Sequence, residues 1–146
     1  MALPHISVYL VPRSVHDGFP LDHRYVVDFY TPVLGPTSVA LLGWLARTVP
    51  AGQEHTVDLS ELAARLGVQR GLARNSPLMR TINRLGLYHL AAWNPEPDDN
   101  TDGRLLVLSH LPPVTARQIN RWPAGLAAEH ARALDFYNAQ TDQRPA

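Results

Sequence analysis

The chain has 146 residues, of which 45% are hydrophobic and 18% are charged. That length can bury one full core but is too short for two domains of ordinary size, so we expect a single domain with appendages. Thirteen basic and thirteen acidic residues give a formal net charge of zero, which excludes a global positive field and leaves only local patches for binding polyanions. The absence of cysteine excludes disulfides and thiolate metal sites.

No part of the sequence has the character of a targeting or membrane-spanning segment. Residues 1–18 lack the charged start and the uninterrupted apolar run of a signal peptide. The longest apolar stretch, residues 39–46, is far shorter than the ~20 residues that cross a bilayer. We therefore expect a cytoplasmic protein without a membrane partner.

Residues 1–35 predict a strand and a short helix that precede the main domain. β-branched and aromatic residues over 6–12 indicate the strand. Helical spacing begins at His23, and we expect this helix to end near Thr31 because Pro32 lacks the N–H that the helical ladder needs.

Residues 36–110 follow the element order of a winged helix-turn-helix. Pro36 begins an apolar helix, and residues 55–57 are expected as the short strand that pairs with the wing in such folds. The next helix starts at Asp58, whose carboxylate can accept hydrogen bonds from the first turn while Glu61 completes a capping box.

The second helix of this pair is the one expected to enter a DNA groove. Ser76 and Pro77 mark its start, and Gly86 is expected to end it. Its apolar and polar residues fall on opposite sides: Leu78, Met79, Ile82 and Leu85 against Arg80, Asn83 and Arg84. Arginine and asparagine carry the donors and acceptors that read base edges, so the pattern predicts contact with the major groove.

A local excess of positive charge favours the same interpretation. From Asp58 to Trp93 there are five arginines and two acids, a net charge of five minus two, or plus three. Arg70 and Arg74 lie in the turn before the second helix, where such proteins meet the phosphate backbone. The predicted DNA-binding residues are Arg70, Arg74, Asn75, Ser76, Arg80, Asn83 and Arg84, although helix capping alone explains Asn75 and Ser76.

Two apolar strands, 87–93 and 104–109, are predicted to form the wing. The loop between them carries four acids, with one arginine beside it: Glu96, Asp98, Asp99, Asp102 and Arg104. Phosphate would repel such a tip, so either the wing points away from DNA or the domain binds protein instead. The loop also matches the opening of a calcium-binding loop, but it lacks the closing glutamate, so we predict no metal there.

The remaining residues do not indicate an enzyme. The seven histidines include no pair at ligand spacing with a nearby carboxylate, and no glycine-rich phosphate loop or nucleophile elbow is present. We therefore expect no catalytic residue, no cofactor and no metal. Residues 111–146 predict helices interrupted at Pro123, with an inward stripe of Leu126, His130, Ala131 and Leu134. Trp122 would anchor this extension to the core or to a second copy.

The core helix carries a family resemblance. It begins with Leu34, Gly35 and Pro36 and continues with the aliphatic residues Val39, Leu41, Leu42 and Leu45. Over residues 25–109 the chain resembles the amino-terminal winged-helix domain of the DnaD-type primosome and replication-initiation proteins, and it departs from them in the acidic wing and in the tail that follows. The resemblance implies self-association through the strand and helix before the core, with DNA or replication proteins as partners.

The sequence therefore predicts an α+β fold, mainly α with a small β-hairpin wing: a winged helix-turn-helix over 36–110, extended over 1–35 and 111–146. The expected function is binding to double-stranded DNA, as a homodimer, in the regulation of transcription or replication, with helix 77–85 in the major groove. The alternative is a winged-helix adaptor that binds a protein partner through its apolar flanks and acidic wing.

Overall fold

The computed structural model describes residues 5–68, 76–98 and 100–142. In these ranges the α-helices are Thr31–Leu34 (α1), Pro36–Thr48 (α2), Leu59–Leu66 (α3), Pro77–Leu87 (α4), Ala116–Ile119 (α5) and Ala124–Asp142 (α6). The strands are His5–Val11 (β1), Phe19–Pro20 (β2), Glu54–Asp58 (β3), Ala91–Asn94 (β4), Arg104–Leu108 (β5) and His110–Leu111 (β6). The predicted α+β class is confirmed, in an order like that of a winged helix.

Strand β1 lies inside a four-stranded sheet with the order β3-β1-β5-β4. It runs antiparallel to β3, with Val8 opposite His55, and parallel to β5, with Val8 opposite Leu105. The side chains of β1 alternate between the core and the surface, as expected for a strand with one buried face. The predicted pairing of residues 55–57 with the wing is therefore wrong, because the amino-terminal strand lies between β3 and the wing.

The chain before α2 stays helical through Pro32, so the predicted end near Thr31 is also wrong. A π-helical turn, Val26–Tyr30, runs directly into α1. Pro32 lies in the first turn of α1, where a backbone N–H is not needed to continue the ladder. The Thr31 hydroxyl donates to the carbonyl oxygen of Val27 at 2.5 Å, which adds a bond across the junction.

The carboxyl end of α4 differs from the prediction at Gly86. The helix continues to Leu87, and His89 adopts the left-handed conformation with a φ of 60°. The N–H of His89 donates to the oxygen of Gly86 at 3.1 Å, and the N–H of Leu90 donates to the oxygen of Leu85 at 3.0 Å. These two bonds form a Schellman motif, a helix end that usually has glycine where this chain has His89. The wing strand predicted from residue 87 consequently begins at Ala91.

Helix α6 packs against a cluster of aromatic side chains in the core. His130 is 3% exposed, and its ring lies 5.0 Å from that of Phe29 and 5.6 Å from that of Trp122. The ring of Trp122 also stacks on that of Phe29 at 6.3 Å, so Trp122 anchors the extension to the core of its own chain. The sequence pattern predicted Ala131 on the inner stripe, but Ala131 is exposed. Ala133 packs against the core instead. In the described part of the chain, none of the helices has both the length and the apolar character needed to span a membrane.

Candidate nucleic-acid interface

Helix α4 divides its residues between core and solvent as its sequence predicts. Leu78, Ile82 and Leu85 are buried, whereas Arg80, Asn83 and Arg84 are exposed on the other side. The helix begins at Pro77 because the Ser76 hydroxyl accepts a hydrogen bond from the N–H of Met79 at 3.2 Å. The outward surface of α4 is therefore free of covering segments from the described part of the chain.

The positive charge of this surface is not cancelled within the described residues. The ion pairs of the described residues involve four other arginines. They are Arg13–Asp17, Arg24–Asp28, Arg65–Glu61 and Arg104–Glu54. Neither Arg80 nor Arg84 has a carboxylate partner among the described residues. Their charges are consequently available to an external anion.

A cleft of about 250 Å³ separates α4 from the beginning of α2. Its lining residues come from both helices and the segments beside them: Leu34, Gly35, Pro36, Thr37, Ser38, Val68, Pro77, Arg80, Thr81 and Arg84. In the described part of the chain no side chain caps the start of α2, because Gly35 is in the capping position. Pro36 has no N–H, so the backbone donors of the first turn are those of Thr37 and Ser38.

Arg84 is held at one side of this cleft by the backbone between α1 and α2. Its Nη1 donates to the carbonyl oxygen of Leu34 at 2.9 Å. Gly35 beside it has a φ of 88°, and a Cβ atom at that position would lie 3.2 Å from Nη1. The absence of a side chain at Gly35 therefore leaves room for Nη1 to approach the backbone, and Arg84 has a structural role as well as an exposed charge.

The structure brings together only some of the predicted site residues. Arg80 and Arg84 both line the cleft, Asn83 is exposed on α4 outside its lining, and Ser76 caps the helix. Arg70, Arg74 and Asn75 lie outside the described residues. Sequence reasoning missed Thr37, Ser38 and Thr81. The signal that could have found the first two is the Gly-Pro start of α2, which lacks the usual capping side chain.

The acidic wing loop is organised by its own carboxylates. Asp98 accepts hydrogen bonds from the N–H groups of Asn100 and Thr101 at 2.8 and 2.7 Å and from the Thr101 hydroxyl at 3.0 Å. These bonds stabilise the charged form and lower the pKa of Asp98 below its ordinary value. Glu96 is exposed, and Asp99 lies outside the described residues.

Asp102 joins the same loop to the start of β1. Its N–H donates to the carbonyl oxygen of His5 at 2.7 Å, and its carboxylate accepts from the N–H of His5 at 3.2 Å. The negative loop is thereby fixed beside the amino-terminal strand. Within the described ranges, no three histidine, aspartate or glutamate side chains are grouped so that they could hold a metal ion.

Comparisons with known proteins add a likeness at the level of overall shape. No family model and no curated protein sequence matches the chain. Among solved structures, the chain is similar to residues 1–300 of primosome protein DnaB from Geobacillus stearothermophilus, with 18% sequence identity and a TM-score of 0.48. The match covers 100% of this chain and 53% of the other, so the chain spans about half the length of that structure. A likeness of this degree carries no argument about function.

Proposed function

We propose that the protein is a winged-helix protein that binds double-stranded DNA with α4 in the major groove. The observation that carries the proposal is the outward side of α4, where Arg80, Asn83 and Arg84 are exposed above a buried apolar stripe and the two arginines have no described carboxylate partner. An α-helix fits the major groove of B-form DNA, where arginine binds guanine and asparagine binds adenine through paired hydrogen bonds.

The three side chains would have different roles. Asn83 is our candidate for contact with a base edge, and Arg80, which lines the cleft, has donors for both a base edge and a neighbouring phosphate. Arg84 is held by the carbonyl of Leu34, so its remaining donors suit a phosphate better than a base. The carboxylates of the wing loop would be repelled by phosphate, and we therefore place the wing away from the DNA. The homodimer and the role in transcription or replication remain predictions.

Fluorescence anisotropy with labelled DNA duplexes of mixed sequence tests the proposal. We expect binding at 50 mM salt that weakens steeply by 200 mM, because each phosphate contact releases counterions. Arg80→Gln should cost about 1–3 kcal/mol in binding free energy. Arg132→Gln, on the exposed side of α6, is the matched control for a lost positive charge. Absence of duplex binding at both salt concentrations would contradict the proposal.

A second candidate function is that of a protein-binding adaptor, favoured by apolar exposure at the end of α4. Leu87 is 78% exposed and Tyr88 is 37% exposed, directly after the arginines. Such a pair beside a charged rim is typical of a protein interface. The variant Leu87→Ser separates the two functions, because it should leave duplex affinity unchanged if α4 reads DNA through its polar side chains. An adaptor should bind no duplex at either salt concentration.

A further inference from the structure

We infer that the cleft between α2 and α4 is a binding site for one phosphate group. The inference rests on the proposed function only for the source of that phosphate, which would be the DNA backbone. The site itself is argued from the start of α2, one buried hydroxyl and two arginines.

The start of α2 supplies backbone donors at one wall of the cleft. The helix has 13 residues, and no side chain among the described residues accepts from the N–H groups of its first turn. Because Gly35 has no capping side chain and Pro36 has no N–H, the donors of Thr37 and Ser38 remain for a ligand. The helix dipole places partial positive charge at the same end, which favours an anion.

The Ser38 side chain is a second and independent sign of a ligand. Ser38 is 2% exposed and lines the cleft. Its hydroxyl forms no hydrogen bond with any residue in the described ranges. The small exposed part of Ser38 faces the cleft, where an oxyanion would accept a hydrogen bond from its hydroxyl.

The opposite wall supplies the countercharge. Arg80 and Arg84 both line the cleft, and no aspartate or glutamate of the described ranges is among its lining residues. A guanidinium has five N–H donors, so Arg84 keeps donors for a ligand after Nη1 binds the oxygen of Leu34. That bond also fixes its position before a ligand arrives. Two arginines and a helix start therefore face one space, which is suited to the charge and the oxygens of a phosphate.

The same chemistry could come from a DNA backbone or from a small phosphorylated molecule. Amide NMR spectra of the full chain, recorded with inorganic phosphate and with chloride at equal ionic strength, test the site itself. We expect the amide signals of Thr37 and Ser38 to shift saturably with phosphate, with a dissociation constant on the order of millimolar, and not with chloride. Ser38→Ala and Arg80→Gln should each weaken phosphate binding by about threefold to tenfold, whereas Arg132→Gln should leave it unchanged.

A second titration with a DNA duplex identifies the source. If the duplex shifts the same two amides, the site binds a backbone phosphate. If phosphate binds in the cleft but no duplex binds, the site stands, its ligand is a small phosphorylated molecule, and the proposed function fails. If phosphate gives no saturable shift at Thr37 and Ser38, or if Ser38→Ala and Arg80→Gln both bind it as well as the unchanged protein, the site is overturned, and duplex binding by α4 is unaffected.

Discussion

The hydroxyl oxygen of Tyr25 lies 2.7 Å from Nε2 of His130, although 105 positions separate the two residues in the sequence. The same oxygen accepts a hydrogen bond from the N–H of Val114 at 2.8 Å. Which of the two groups donates in the bond between Tyr25 and His130 depends on the tautomer of the imidazole ring. The two bonds of the Tyr25 hydroxyl join three distant segments: the first helical turns, the chain after β6, and α6.

Removing the Tyr25 hydroxyl should destabilise the fold. In Tyr25→Phe, the N–H of Val114 and Nε2 of His130 would both be buried without their partner, which costs about 1–3 kcal/mol in the free energy of unfolding. Tyr9→Phe is the control, because the Tyr9 hydroxyl has no hydrogen bond within the described residues, and we expect a change close to zero. Urea unfolding followed by circular dichroism measures both. Equal stability of the two variants would mean that the Tyr25 bond contributes nothing.

Stability should also fall in mild acid because of His130. Burial lowers the pKa of His130 below its ordinary value of 6.5. The unfolded chain then takes up a proton at a higher pH than the folded chain, so the stabilisation is complete above pH 6.5 and is lost as the pH falls towards the folded pKa. His130→Gln keeps both a donor and an acceptor for the Tyr25 hydroxyl but does not titrate.

The free energy of unfolding at pH 7.5 and pH 5.5 should therefore differ less in His130→Gln than in the unchanged protein. Some pH dependence should remain, because burial also lowers the pKa of His110. His16→Gln, at an exposed position, should keep the full dependence. A pH dependence that is the same in all three proteins would contradict the assignment to His130.

The helix end after Leu87 gives a prediction that separates the structure from the sequence pattern. If Gly86 ended α4 in a left-handed conformation, Gly86→Ala would be destabilising. Because Gly86 lies inside the helix and a Cβ there would be 3.7 Å from the oxygen of Ala91, we expect Gly86→Ala to raise the free energy of unfolding by about 0.5–1 kcal/mol.

His89→Gly should stabilise the same helix end by a comparable amount, about 1 kcal/mol, because glycine adopts a φ of 60° without a steric penalty. Thermal unfolding measures both variants. If Gly86→Ala were less stable than the unchanged protein and His89→Gly equally stable, α4 would end at Gly86, as the sequence suggests.

The wing loop should loosen when Asp98 loses its charge. Asp98→Asn should increase hydrogen exchange at the amides of Asn100 and Thr101, which donate to the carboxylate. The same loosening should appear in the unchanged loop only at a pH below the ordinary pKa of aspartate, because the pKa of Asp98 is lowered. Glu96→Gln removes an exposed charge from the same loop and should leave both amides protected. Equal exchange in the two variants would contradict a specific role of the Asp98 carboxylate in holding the loop.

The local signals in the sequence located helices α3 and α4. The Asp58 carboxylate accepts from the N–H groups of Ser60 and Glu61, as predicted, and α3 ends at Gly67 in the left-handed conformation. Glu61 was expected to complete the cap, but its carboxylate binds Arg65 at 2.8 Å instead. The exposed side of α4 was predicted residue by residue because helical periodicity depends on a few neighbours along the chain.

What the sequence could not predict depends on distant contacts. The position of β1 inside the sheet is set by pairing with residues on either side that lie far along the chain, and a strand pattern does not state its partners. The cleft could not be predicted for the same reason, since it exists only where the start of α2 faces α4. The place of Pro32 was not predicted because it depends on the π-helical turn that precedes α1. The place of His89 was not predicted because histidine disfavours the left-handed conformation that the structure gives it.

The place of β1 has a consequence for how the protein folds. His5 and Asp102, which bond across the sheet, are 97 positions apart, and the parallel pairing of β1 with β5 closes a loop of nearly the same length. Contacts between residues so far apart in the sequence form slowly, because the intervening loop loses conformational entropy before the contacts contribute favourable free energy. During synthesis on a ribosome, one edge of β1 would stay unpaired until β5 is made. In that time the edge is exposed to pairing with other chains.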